Sequence, residues 1–139
     1  MLLTAKILLT IATLGYSAIP FKFDFDETHV KNPSWDSHAR FHIVWQVTSY
    51  IYVALLALYL IWGQGDSWSL WLAFILGAAS YGGFWTAFLT RGHYGTHIVS
   101  KVNPVPEFNL GFAKVDANVT LFSVFAILLL LGAMFLKLA

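Results

Sequence analysis

Cysteine is absent from this chain, which excludes disulfide frameworks, thiolate metal centres, iron–sulfur clusters and cysteine nucleophiles. Charge is scarce: only 11% of residues are Asp, Glu, Lys or Arg, and the net charge is +1. So weak a field holds no nucleic acid. Nor can so few charged groups clothe a compact ball of 139 residues, since a water-soluble domain carries roughly a quarter of them. Several motifs are also missing: a phosphate-cradling glycine loop, a dinucleotide fingerprint, a nucleophile elbow and a His-Glu-x-x-His pair. No low-complexity tract or internal repeat is present. What the chain does have is apolar surface, with 58% hydrophobic and 17% aromatic residues. Its solvent is therefore partly lipid.

A membrane span needs about 20 apolar residues to cross a hydrocarbon core of roughly 30 Å. Four stretches qualify, at about 2–19, 43–62, 68–90 and 119–136, and the middle two contain no Asp, Glu, Lys or Arg. The expected fold is all-α: a four-transmembrane-helix bundle forming a single integral membrane domain over 1–139, with one thick polar face. Lys6 and Lys137 lie near span ends, where long side chains snorkel to water. The first span also reads as a signal peptide with a poor cleavage site around Tyr16-Ser17-Ala18. Its long apolar run favours retention as a helix.

Four spans alternate the loops. One face carries both termini and the link Gly63-Gln64-Gly65-Asp66-Ser67; the other carries about Pro20 to His42 and Arg91 to Asn118. Six of the eight Lys and Arg residues fall on this thicker face: Lys22, Lys31, Arg40, Arg91, Lys101 and Lys114. The positive-inside rule then makes the thick, histidine-bearing face cytoplasmic and puts both termini opposite. Trp62, Trp68 and Trp71 flank the thin link, and Trp35, Trp45 and Tyr94 lie near the other boundary, as interfacial belts require. Ala78 with Gly82, and Ala79 with Gly83, are small pairs one turn apart, suited to close helix packing in lipid.

The thick face holds the chemistry. Phe21-Lys22-Phe23-Asp24-Phe25-Asp26 alternates strictly, which predicts an extended strip with phenyls down and charges up. Asn32 before Pro33 resembles an N-cap and first helical residue, with Asp36 then in the favourable first turn. On that helix His38 and His42 share a face, and the stripe continues through Trp45 or Gln46 to Ser49. His93 and His97 repeat the spacing, although Gly92 or Gly95 can end the helix and leave both in a loop. The segment Asn103 to Asn109 reads as irregular, and Asp116 as the N-cap of the fourth span. Five histidines placed at random give about 0.14 pairs four apart, so two pairs is an event of about one in a hundred.

Imidazoles one turn apart chelate an ion, and imidazole with carboxylate suits zinc or non-haem iron. The candidate metal ligands are His29, His38, His42, His93, His97, Asp26 and Glu27. Haem ranks low because the histidines sit at the bundle's edge rather than facing each other within it. For any single histidine the plainer role is capping a helix, bonding a lipid headgroup or pairing with a carboxylate.

The run Thr28-His29-x-x-Asn32-Pro33-x-Trp35-x-x-His38-Ala39-Arg40-Phe41-His42 resembles the signature of a family of small four-helix integral membrane proteins. The likeness covers about fifteen residues and the four-span plan; it implies a membrane fold and no particular activity. Sterol isomerases of the emopamil-binding type are similar in size and span number, but their acidic and tryptophan motif has no counterpart on these helices. Membrane-bound desaturases and hydroxylases are similar in their histidine boxes, yet carry more histidines than the five here.

Two readings follow. In the first, the protein is an enzyme on a lipophilic small molecule, a metal-dependent oxidoreductase or hydroxylase, or an isomerase. The substrate enters beside Trp45, Gln46, Ser49, Tyr50, Tyr81 and Trp85, and its reacting end meets catalytic His38, His42, His93 and His97. In the second, it is a non-catalytic membrane subunit or lipid-binding scaffold, working as a homo-oligomer or with a partner subunit. Transport of a solute is disfavoured by the absence of charge in mid-membrane.

Overall fold

The computed structural model describes residues 1–98, 106–109, 111 and 113–139. Lys101 and the start of the irregular segment, Asn103 to Val105, lie outside the described residues. Four long helices dominate: α1 (Leu2–Asp24), α2 (Ser37–Leu58), α3 (Ser67–Thr90) and α4 (Ala117–Lys137). A π-helical segment, Tyr59–Gln64, prolongs α2, and a 3₁₀ turn, Arg91–Tyr94, prolongs α3. All four are long and apolar enough to cross a membrane. The fold is an all-α four-helix bundle, an architecture that pairs backbone groups within each helix, as lipid demands.

The first helix is the hub, packing most extensively on α4 and then on α2. Its stripe Ala5, Leu9, Ala12 and Tyr16 is fully buried. Small residues set the distances. A Cβ on Gly15 would run into the Phe125 ring, and one on Gly77 would lie 2.8 Å from Leu129. The Tyr81 hydroxyl of α3 donates to the Ala12 carbonyl of α1 at 2.6 Å, an interhelical bond worth about 0.6–1.7 kcal/mol in a membrane. Gly82 and Gly83, by contrast, have nothing within 4 Å of an added Cβ. Their expected packing role is not met inside the chain, because that side of α3 faces away from the bundle.

At the thin link the Trp62 indole donates to Thr10 at 2.9 Å, and the Lys6 ammonium sits 5.5 Å from the Trp62 ring centre. Gly65, at φ 72°, closes the π-helical segment; Asp66 then caps α3 by accepting from Ser69.

Two expectations are corrected. The Phe21–Asp26 strip is not extended: α1 runs through Pro20 to Asp24. Proline removes its own bond to the preceding turn and crowds the Tyr16 carbonyl, but the residues after it keep their N–H groups and can stay helical. Phe21 and Phe25 then stack four residues apart, with ring centres 4.9 Å apart. Nor does Asn32 cap α2. Its Oδ1 accepts from the Ser34 backbone and hydroxyl, an Asx turn, and Asp36 takes the cap by accepting from the His38 N–H at 2.8 Å. The long α3–α4 connection carries a short antiparallel ribbon, β1 (Glu107–Asn109) with β2 (Lys114–Asp116), in which Glu107 faces Asp116. Asp116 caps α4 as expected.

Candidate functional site

Once Asp36 has started α2, residues 38 and 42 fall on one face a turn apart. Their imidazoles converge: the two Nε2 atoms are 3.1 Å apart, and the rings meet at 87°. The His42 ring also stacks on Trp45 at 28°, with centres 5.9 Å apart. Below this pair an open groove of about 380 Å³ is lined by His42, Trp45, Gln46, Ser49 and Tyr50. A polar rung crosses it, the Gln46 amide donating to the Tyr50 hydroxyl at 3.0 Å. The groove therefore offers imidazole at the membrane boundary, indole and phenol walls, and a hydrogen-bonding rung deeper down.

The loop before α2 is a second, separate cluster. Asp26 accepts from the Thr28 backbone N–H at 2.8 Å and from its hydroxyl at 2.5 Å. These bonds, the side-chain one first, hold the Asp26 carboxyl below the usual carboxylate range. His29 Nδ1 lies 2.7 Å from the Thr28 hydroxyl oxygen and 3.6 Å from Asp24, and the ring meets Trp35 edge-on. His29 and Asp26 are thus spent on folding the loop. Glu27 is exposed.

The other histidine pair does not share a helix face. α3 ends at Thr90; His93 falls in the 3₁₀ turn, and Gly95, at φ 63°, ends it before His97. His97 instead lines a smaller groove of about 150 Å³ with Phe84, Ala87, Phe88, Arg91, Thr96 and Ile98. Arg91 lies over the Phe88 ring at 4.2 Å and donates to the Phe88 carbonyl. Gly95 marked a possible helix end in the sequence, but the groove itself was not legible, because no periodicity shows which residues the chain meets after that reversal.

Of the expected site, then, His38, His42, Trp45, Gln46, Ser49 and Tyr50 are together. His29, His93 and His97 stand elsewhere, Tyr81 is buried at the α1–α3 contact, and Trp85 packs with Phe84 and Phe88. Among the described residues no three His, Asp or Glu side chains are gathered to hold an ion. The expected ligand set of His29, His38, His42, His93, His97, Asp26 and Glu27 is therefore not assembled as one centre. The physical reason is local: each outlying donor is held by a turn that forms within its own few residues. What can ligate is the pair His38 and His42, two nitrogen donors on one helix. No family model matches the chain, and neither a curated protein nor a solved structure is found to be similar to it.

Proposed function

We propose that this multi-pass integral membrane protein binds an amphipathic lipophilic molecule in the α2 groove, as a lipid-binding scaffold or membrane subunit. The carrying observation is the gradient along one helix face, from the paired imidazoles through Trp45 to the Gln46–Tyr50 rung. The polar head lies at His38 and His42, and the chain lies against Trp45 and Tyr50. The Thr28–His42 run supports placing the protein beside the small four-helix membrane proteins it resembles. Chemistry on the bound molecule is a second reading, favoured by the 3.1 Å approach of the two Nε2 atoms. Imidazole is suited to proton transfer near neutral pH and to ligating zinc or non-haem iron.

The test is photolabelling of the purified full-length protein with a diazirine-bearing long-chain alcohol, mapped by peptide mass spectrometry. Label concentrates between His42 and Tyr50. Trp45→Ala together with Gln46→Ala lowers it by about tenfold, equivalent to about 1.4 kcal/mol. Label spread evenly over the exposed faces of all four helices, and indifferent to the double variant, would overturn the groove.

A further inference from the structure

Within the bundle α2 buries only Val47, Ala54 and Ala57. Its outer edge is regular. Phe41, Trp45, Thr48, Tyr52, Leu55 and Tyr59 succeed one another at steps of four and three residues, the register in which one helix presents a continuous seam to another. All but Thr48 are more than half exposed. Lipid can cover apolar rings, but Tyr52 is different. It stands near the middle of the Ser37–Gln64 span and is 73% exposed. Its hydroxyl makes no hydrogen bond among the described residues. Mid-bilayer has no water to satisfy it, and a polar group left unpaired in hydrocarbon is costly. A protein partner along this seam removes that cost.

His38 continues the seam three residues before Phe41, and His42 flanks it. An ion with bonds of about 2.1 Å in tetrahedral geometry holds neighbouring donors roughly 3.4 Å apart. The Nε2 atoms, at 3.1 Å, are a few tenths of an ångström inside that separation, so a small ring rotation brings both to one ion. Nothing else in the chain completes the set among the described residues. The geometry points to a second copy: we propose that two chains associate along α2 about a two-fold axis normal to the membrane. The pair then shares one divalent, zinc-like ion held by His38 and His42 of each. Two-fold pairing sets equal positions opposite one another. Each Tyr52 hydroxyl meets its counterpart, and both histidine pairs arrive at the same membrane face. On binding, each Nε2 presents its lone pair to the ion; a proton there leaves for solvent or moves to Nδ1. His42 and Trp45 also line the groove, so in the pair the head of a bound molecule lies beside the ion; photolabelling reads the groove and zinc stoichiometry reads the pair, and either can fail without the other.

The experiment uses full-length protein in lipid nanodiscs and in detergent, stripped with chelator and titrated with zinc alone. One zinc binds per two chains, and native mass spectrometry shows a dimer. His38→Ala with His42→Ala abolishes zinc binding while the helical circular dichroism is unchanged. Because the chain has no cysteine, Phe41→Cys reports the seam by oxidative cross-linking, and Tyr52→Phe lowers its yield several-fold. Zinc bound one per chain to a monomer overturns the proposal, as does zinc retained by the double variant. So does cross-linking through Gly83→Cys, on the exposed side of α3, in place of Phe41→Cys.

Discussion

A single threonine organises the loop that precedes α2. The Thr28 hydroxyl lies between the Asp26 carboxylate and the His29 ring, while its backbone N–H also bonds Asp26. Asp26 is therefore held ionised below the usual carboxylate range, chiefly by the Thr28 side chain. A carboxyl depressed on folding stabilises the folded form at pH above its unfolded value of about 3.9, and that contribution disappears as pH falls through the lower folded value. The loop is thus fully anchored at neutral pH and loosens only in strong acid. Carbon-13 NMR of Asp-labelled protein should show Asp26 titrating below the free carboxylate, and Thr28→Ala should move it back up. An unmoved titration in Thr28→Ala would remove the threonine from this role. None of this was visible in the Thr28-His29 dipeptide itself. The bonds span only one and two residues, but an Asp-x-Thr run is compatible with several turn conformations, and the residue types alone do not choose among them.

Between elements, glycines with similar sequence surroundings behave oppositely. Gly15 is pressed against Phe125 and the Tyr81 hydroxyl, whereas Gly82 and Gly83 meet nothing. Gly15→Ala should therefore cost about 1–3 kcal/mol through overpacking of a close helix contact. Gly82→Ala should be neutral or stabilising by up to about 1 kcal/mol, since a helix interior favours alanine over glycine. Unfolding in mixed detergent micelles compares the two, and equal losses would contradict the helix contacts described above. The small pairs Ala78–Gly82 and Ala79–Gly83 looked like the packing motif in the sequence, because spacing identifies a smooth helix face without saying what lies opposite. The alternating Phe21–Asp26 strip misled in a related way. Period-two and period-four neighbours coincide over six residues, and Phe21 and Phe25 satisfy both.

For the whole molecule, four helices able to span a membrane put α2's start and the link after it on opposite sides. The bias of Lys and Arg toward the Pro20–His42 and Arg91–Asn118 loops predicts that the former side is cytoplasmic. In this cysteine-free chain, Ser37→Cys should react with an impermeant maleimide only from the cytoplasmic side, and Gln64→Cys only from the opposite one. The reverse pattern would invert the topology. Number, order and approximate limits of the helices were legible because a span in lipid must be apolar over its own length and close its own hydrogen bonds, which is a local requirement. The convergence of His38 with His42 was legible for the same reason, since both lie on one helix turn. The fate of the other histidines was not. Whether His93 and His97 share a face depends on the left-handed turn at Gly95, and which helix sides meet depends on fits such as Gly15 to Phe125 across more than a hundred residues of chain. In lipid no general hydrophobic force brings helices together, so shape complementarity between distant residues decides the packing; that is a property of the assembled bundle alone.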